Sequence, residues 1–254
     1  MRPDQYRVAI PSYRRAETCR DKTIALLLAR GITPDRITVW EADRPEQIIY
    51  QAALSHTGVN VEISAPTLHG SRNALWRAYE PGTWLLNADD DLTDIYRPKG
   101  KQDREPIQDL HTEFTDMFTN LGLSGLSIVG VYPADNPYFM RGGYSTNLRY
   151  IVGALYGIRI EPGPHMDVTL EDKEDYERTI LHYLYAGGVL RNNGIGIRTR
   201  YYTEPGGMQE TRTPQRITES AYILHQRFPT LTRLHQSKGR GTTEIALIPK
   251  PSRH

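Results

Sequence analysis

Within the first ninety residues, short apolar runs alternate with stretches of helical periodicity, and this alternation restricts the fold more than any other feature of the chain. Strands separated by helix-length connections do not pair as hairpins. Crossover helices lay them parallel and cover both faces of the sheet. "YRVAI" (6–10) reads as the first strand, followed by a helix over 17–30 with Ile24, Leu27 and Leu28 on one face and Gly31 as its stop. "RITVW" (36–40) is the second strand, "PEQIIYQAAL" (45–54) a helix entered through Pro45, "VNVEI" (59–63) the third strand and 71–79 a further helix. The expectation is an α/β fold: a Rossmann-like, mostly parallel central sheet flanked by helices.

The second half has a different character. "YRPKGKQDREP" (96–106) is polar and breaker-rich and reads as a mobile surface loop. Ile107, Leu110, Phe114, Met117, Phe118 and Leu121 recur at helical spacing as a core-facing stripe. The stretches 126–132 and 148–160 read as strands with antiparallel neighbours, and 175–188 as a helix closed by glycine. The final stretch, 235–254, is basic and breaker-rich, and part of it is expected to be disordered. At 254 residues the chain suits one large domain. No apolar run reaches membrane-spanning length and no leader is evident, so a cytoplasmic protein without a membrane partner is expected. Cys19 is the single cysteine, which excludes an internal disulfide and a multi-cysteine zinc site, and no disulfide-linked partner is expected.

The chemistry concentrates where strands end. "TWLLNADDDL" (83–92) carries Trp84, Leu85 and Leu86 directly into Asp89, Asp90 and Asp91. Open α/β sheets bind ligands at their carboxyl ends, and hard divalent cations take carboxylate oxygens together with phosphates, so the triplet reads as a metal-diphosphate site. After the first strand, Pro11, Ser12, Tyr13 and Arg14 offer hydroxyl, aromatic and guanidinium groups suited to a nucleotide. Glu41 and Asp43 end the second strand, where a carboxylate accepts from a ribose or base edge; Asp43 equally suits a helix cap. In "HGSRNA" (69–74), Gly70 permits close backbone approach and Arg72 suits a diphosphate.

From Glu161 to Glu177 there are seven acids against Lys173 alone. Acids at a helix start are favoured by its dipole, which is the structural explanation; the functional one makes a carboxylate a general base for an acceptor hydroxyl. Asp172 is the first candidate, with Glu171 beside it and Asp175 as the fallback. The net charge is +1, yet from Arg191 to Arg240 nine Lys/Arg face three acids.

In this order the motifs resemble a glycosyltransferase of the GT-A fold. "VAIPSYRR", "EAD", "GSRN", "NADDDL" and "LED" stand where that fold keeps its nucleotide, diphosphate, metal and base motifs. More narrowly, the first forty residues, "RYIVGALYGI" and "GGMQ" resemble the TET-associated glycosyltransferases of tailed bacteriophages, over residues 6 to 210. The resemblance implies a hexosyltransferase that moves sugar from a nucleotide-sugar, UDP-glucose or UDP-N-acetylglucosamine, to 5-hydroxymethylcytosine in phage DNA in the bacterial host cytoplasm. It implies Mn²⁺ or Mg²⁺ on Asp89 and Asp91, with Asp90 open as an alternative, Arg72 on the diphosphate, Glu41 and Asp43 on the nucleoside, and Asp172 as base. Residues 1–95 would bind the donor and 107–240, a C-terminal elaboration, the acceptor, with 241–254 a flexible tail. The likeness and the local basic charge together assign Arg198, Arg200, Arg212 and Arg216 to DNA phosphates, and Tyr201 or Tyr202 to base stacking. No motif singles out His225 or His235 as the late histidine that many GT-A enzymes give the metal. Rival classes are a GT-A transferase with a protein, lipid or polysaccharide acceptor, a nucleotidyltransferase, and a DNA-binding module without catalysis.

Overall fold

The computed structural model describes residues 1–199, 212–239 and 241–253. Its first half follows the alternation in the sequence: β1 (Arg7–Pro11), α1 (Ala16–Cys19), a π-helical turn (Arg20–Ile24), α2 (Ala25–Ala29), β2 (Ile37–Glu41), α3 (Arg44–Leu54), β3 (Asn60–Ile63), α4 (Leu68–Arg77) and β4 (Trp84–Ala88). The strands lie in the order β3-β2-β1-β4, all parallel. The chain therefore winds outward from β1 to β3 and then returns to β1's other side. That reversal opens a crevice between the carboxyl ends of β1 and β4.

Both faces of this half-sheet are covered, and β1 and β4 are correspondingly apolar along their length. Val8 and Ile10 of β1 and Trp84, Leu86 and Ala88 of β4 pack with Leu27 of α2 and Tyr50 of α3. The same core takes in Phe114, Met117 and Phe118 of the long helix α5 (Leu110–Ser124). Ala9 and Leu85 point the other way, into a second core.

The rest of the chain extends the sheet. β5 (Leu92–Lys99) and β6 (Asp103–Pro106) precede α5; then come β7 (Ile128–Tyr132), β8 (Tyr144–Ser145), β9 (Leu155–Arg159), α6 (Glu174–Ala186), β10 (Leu190–Thr199), α7 (Pro214–Arg227), β11 (Thr232–Gln236) and β12 (Thr243–Leu247). β9 lies antiparallel between β4 and β7, and β10 and the β5–β6 pair complete the sheet, with β8 against β10. Helices α6 and α7 supply Ile180, Tyr183, Ala221 and Leu224 to the second core. Among the described residues no helix is long and apolar enough to cross a membrane.

Three expectations need correction. Residues 96–106 form most of the β5–β6 hairpin instead of a mobile loop, because their charges serve as tethers: Tyr96 Oη and Arg104 Nε both donate to Asp135 at 2.7 Å. The stretch 148–160 is a strand only from Leu155; residues 148–154 form an irregular segment, with the Ile151 amide donating to Thr179 Oγ1 at 3.2 Å. The C-terminal stretch is not a flexible tail. β11 and β12 pair over five positions, and Lys250, Pro251 and Arg253 bond to Leu148, Tyr183 and Gly187.

At Gly157 of β9 an added Cβ would lie 2.5 Å from the Phe118 ring of α5. Gly157→Ala should therefore lower stability by about 1–3 kcal/mol through overpacking, a fall of a few degrees in Tm that calorimetry would register.

Candidate functional site

A cavity of about 840 Å³ opens at the crevice between β1 and β4. Pro11, Ser12 and Tyr13 after β1, Ala42 after β2, Ser64 to Thr67 after β3 and Asp89 to Asp91 after β4 form one side. The opposite side comes from the second half of the chain: Tyr150, Gly153, Glu171 to Tyr176, Arg212, Arg216 and the β11–β12 hairpin.

The three aspartates diverge. Asp89 takes a 2.9 Å hydrogen bond from Arg72 Nη2 on its Oδ1. Asp90 accepts from Ser12 Oγ at 2.5 Å and lies 3.3 Å from Arg15 Nη1. Asp91 accepts from Thr199 Oγ1 at 2.8 Å, with Arg15 at 3.8 Å. A relay stiffens the Asp90 contact: Arg15 N donates to Tyr50 Oη, which donates to Ser12 Oγ, whose proton faces the carboxylate. Burial lifts the Asp89 carboxyl to about 7 against the pull of Arg72, with Asp91 and Asp90 adding to the rise. Burial likewise lifts Asp90 to about 6 against Arg15 and Ser12.

Arg72 is itself buried and connects the two sides of the cavity. It holds Asp89 and the Gly153 carbonyl, and its Nε lies 3.6 Å from Glu174 Oε1. Glu174 in turn accepts from Arg178 Nη1 at 2.5 Å, and the Arg178 guanidinium lies 3.7 Å from the centre of the Tyr156 ring. Sequence reading missed Glu174 and Arg178; their i, i+4 spacing at the start of α6 was the available signal. It also chose Arg14 over Arg15. Arg14 has a left-handed backbone (φ 55°), is exposed and stacks on Tyr13, while Arg15 reaches the aspartates.

The acids of the 171–177 run divide between structure and cavity. Glu171 caps α4, accepting from Leu68 N at 3.0 Å with His69 Nδ1 at 2.5 Å, so as a base candidate it is already committed to a helix end. Asp175 accepts from Tyr150 Oη, whose ring stacks on Tyr176. Asp172 is buried between Arg212 Nε at 2.9 Å and Arg216 Nε at 3.5 Å. Fully buried Glu177 fixes the approach to this run, accepting from Thr169 N, Leu170 N and Arg227 Nη1.

Other predicted residues stand apart from the cavity wall. Asp43 is exposed and caps α3 through Glu46 N at 3.0 Å. Gly70 makes room for a cap instead of a ligand: Thr67 Oγ1 accepts from its amide and would lie 2.7 Å from an added Cβ. Glu41 is fully buried with neither carboxylate oxygen hydrogen-bonded, and burial, then the charges of Glu46, Asp90 and Asp43, raise it to about 9. Among the described residues of the basic segment, Arg212 and Arg216 pair with Asp172, Arg227 with Glu177 and Arg198 with Asp135 at 3.3 Å. Arg200, Tyr201, Tyr202 and the "GGMQ" motif lie outside the described residues. His235 lines the cavity, whereas His225 is bonded to Thr232 at 2.9 Å.

Among the described residues no group of three or more His, Cys, Asp or Glu is arranged to hold a metal by protein ligands alone. The donor set nevertheless fits a hard cation of the kind held by one or two carboxylates and completed by phosphate oxygens. Asp89 is 35% exposed, Asp90 and Asp91 line the same cavity, and the three carboxylates are paired with two guanidiniums, Arg72 and Arg15.

No protein-family model and no curated protein matches the sequence. Solved structures do match in fold. S. aureus TarS 1-349 in complex with UDP-GlcNAc aligns at a TM-score of 0.53 and 13% identity, over 89% of this chain and 67% of its own. A second TarS 1-349 structure aligns at 0.52 and 13% over 78% of this chain, which spans 59% of the TarS fragment. A mycobacterial protein aligns at 0.52 and 13%, over 97% of this chain and 86% of that one. The likeness establishes the GT-A arrangement of the fold.

Glu41, Asp89 and Asp90 all sit above their ordinary carboxylate values, so each favours the folded state at low pH and loses that contribution as pH rises toward its folded value. Stability should therefore decline from about pH 4 to pH 9. Glu41→Gln should flatten that decline, matching the parent at pH 4.5 and exceeding it by about 1–3 kcal/mol at pH 9 in urea titrations.

Proposed function

We propose that the chain is a glycosyltransferase that takes a sugar from a nucleoside diphosphate donor and transfers it to a hydroxyl group. The observation that carries this reading is the cavity at the crevice, whose lining brings the diverging carboxylates, Arg15 and Arg72 together with Asp172, Asp175 and Tyr176. Pro11, Ser12 and Tyr13 suit the nucleoside, and residues 1–95 would form the donor half, with 107–240 the acceptor half. TarS 1-349, which shares the fold, holds UDP-GlcNAc, and this favours a UDP-sugar donor here.

When bound, a divalent cation on Asp89 and Asp91 would stabilise the negative charge of the departing diphosphate. The chain's own residues do the rest. Arg15 and Arg72 face the same charge in a cavity partly shielded from water, where fixed cations act strongly. A carboxylate of the 172–175 run accepts the acceptor's hydroxyl proton, its oxygen bonds to the anomeric carbon, and the diphosphate leaves from the opposite face with inversion. Asp172 is our first assignment. Held by two guanidiniums, it must loosen one of those pairs before its oxygen reaches a hydroxyl, so an acceptor that draws Arg212 or Arg216 to its own anionic groups would activate it. Sequence resemblance points to 5-hydroxymethylcytosine in DNA as that acceptor, and a nucleic acid supplies such anionic groups.

The test is a panel of sugar nucleotides incubated with hydroxymethylated duplex, unmodified duplex, protein and polysaccharide acceptors, analysed by mass spectrometry. Nucleoside diphosphate release and a hexose on hydroxymethylcytosine are expected with the parent. Asp89→Asn should abolish turnover, and Asp172→Asn should reduce it about a hundredfold or more with little change in donor affinity. Pyrophosphate release would indicate a nucleotidyltransferase, and transfer to every acceptor class except the modified duplex would remove the DNA assignment.

A further inference from the structure

Asp89 and Leu92 occupy the first and fourth positions of the turn joining β4 to β5, where a tight turn closes by bonding the fourth amide to the first carbonyl. Here a side-chain hydroxyl bonds to both of these groups. Thr23 Oγ1 donates to the Asp89 carbonyl at 2.7 Å and accepts from Leu92 N at 2.9 Å. Thr23 is fully buried and belongs to the π-helical turn Arg20–Ile24, between the α-helical residues of α1 and α2. A π-helical turn inserts an extra residue into a helix and re-aims the side chains it carries, and such turns recur at functional sites. Threonine in a helix commonly turns its hydroxyl back to a carbonyl one turn earlier. Thr23 instead directs it at the chain that carries the acids.

The Asp89 amide also donates to the Ala154 carbonyl at 2.9 Å. The hydroxyl ties the first and fourth residues of the turn to the helix, and the three carboxylates separate toward Arg72, Ser12 and Thr199. We propose that Thr23 is the positioning residue of the acidic turn, its hydroxyl setting the spread of Asp89 and Asp91 that receives a divalent cation with a nucleoside diphosphate. The proposal rests on the nucleotide-sugar reading of the cavity for its ligand, and on the Thr23 geometry for the turn itself.

Thr23→Val keeps the shape and deletes both hydrogen bonds, Thr23→Ser keeps the hydroxyl, and Thr23→Ala repeats the deletion should the valine variant fail to fold. Two measurements decide: crystal structures of the parent and variants, and calorimetric binding of UDP with Mn²⁺. The deletion should displace Asp89 and Asp91 relative to each other and weaken Mn²⁺-dependent UDP binding by about 10–100-fold, as loss of an outer-shell partner does, with serine restoring both. An unchanged turn, unchanged affinity, or serine as impaired as valine would overturn the role. If the parent binds no nucleoside diphosphate with any cation, the nucleotide-sugar reading fails. The structures alone then decide Thr23: a displaced turn restored by serine upholds it, and an undisturbed one removes it.

Discussion

A carboxylate taken out of water costs several kcal/mol unless a cation and hydrogen bonds accompany it, and β4 delivers three in succession to the edge of a sheet covered on both faces. The second half of the chain can be understood as what this edge requires. Arg72 comes from α4, but its other contacts, Gly153 and Glu174, belong to the irregular segment before β9 and to the start of α6. Thr199, which takes Asp91, is the last residue of β10. The strands of the second half are thus joined to the crevice by the same groups that make the acidic wall tolerable, as well as by ladder hydrogen bonds.

This arrangement explains which parts of the molecule the sequence disclosed. Where periodicity alone decides, as in β1 to β4 and the stripe of α5, residues such as Val8, Leu86 and Phe114 marked their elements, because apolar burial repeats with the geometry of the backbone. The hairpin at 92–106 was hidden for the opposite reason. Its tethers are Tyr96, Arg104 and Asp135, polar groups that carry no period and find each other only across 31 or more residues. The C-terminal hairpin was obscured in the same way by its glycines and lysines, which read as disorder until Lys173 and Glu244 are seen to pair.

The site shows the same division. Strand-end position was enough to nominate Ser12, Asp89, Asp90 and Asp91, since topology brings those ends together in any parallel sheet with this order, and the opening of a helix nominated Arg72. Choosing between adjacent residues of one type was beyond the pattern. Arg14 and Arg15 differ by a single left-handed residue in the loop after β1, and that residue turns one guanidinium to solvent and the other to the aspartates. Glu171 and Asp172 are likewise neighbours with different fates, one spent on the Leu68 amide and the His69 ring at the start of α4 and the other buried at the cavity.

The pairing of Asp172 with Arg212 and Arg216 follows from helix electrostatics. Arg216 lies in the first turn of α7, with Arg212 just outside it, and cations there oppose the positive end of the helix dipole. A buried carboxylate between them removes that conflict. Asp172 has a second positive neighbour, because it precedes α6, whose opening acids Glu174, Asp175 and Glu177 show the favourable case of the same dipole. The carboxylate therefore stands where two helix N-termini and two guanidiniums converge. Any anion entering this part of the cavity competes with Asp172 for those charges.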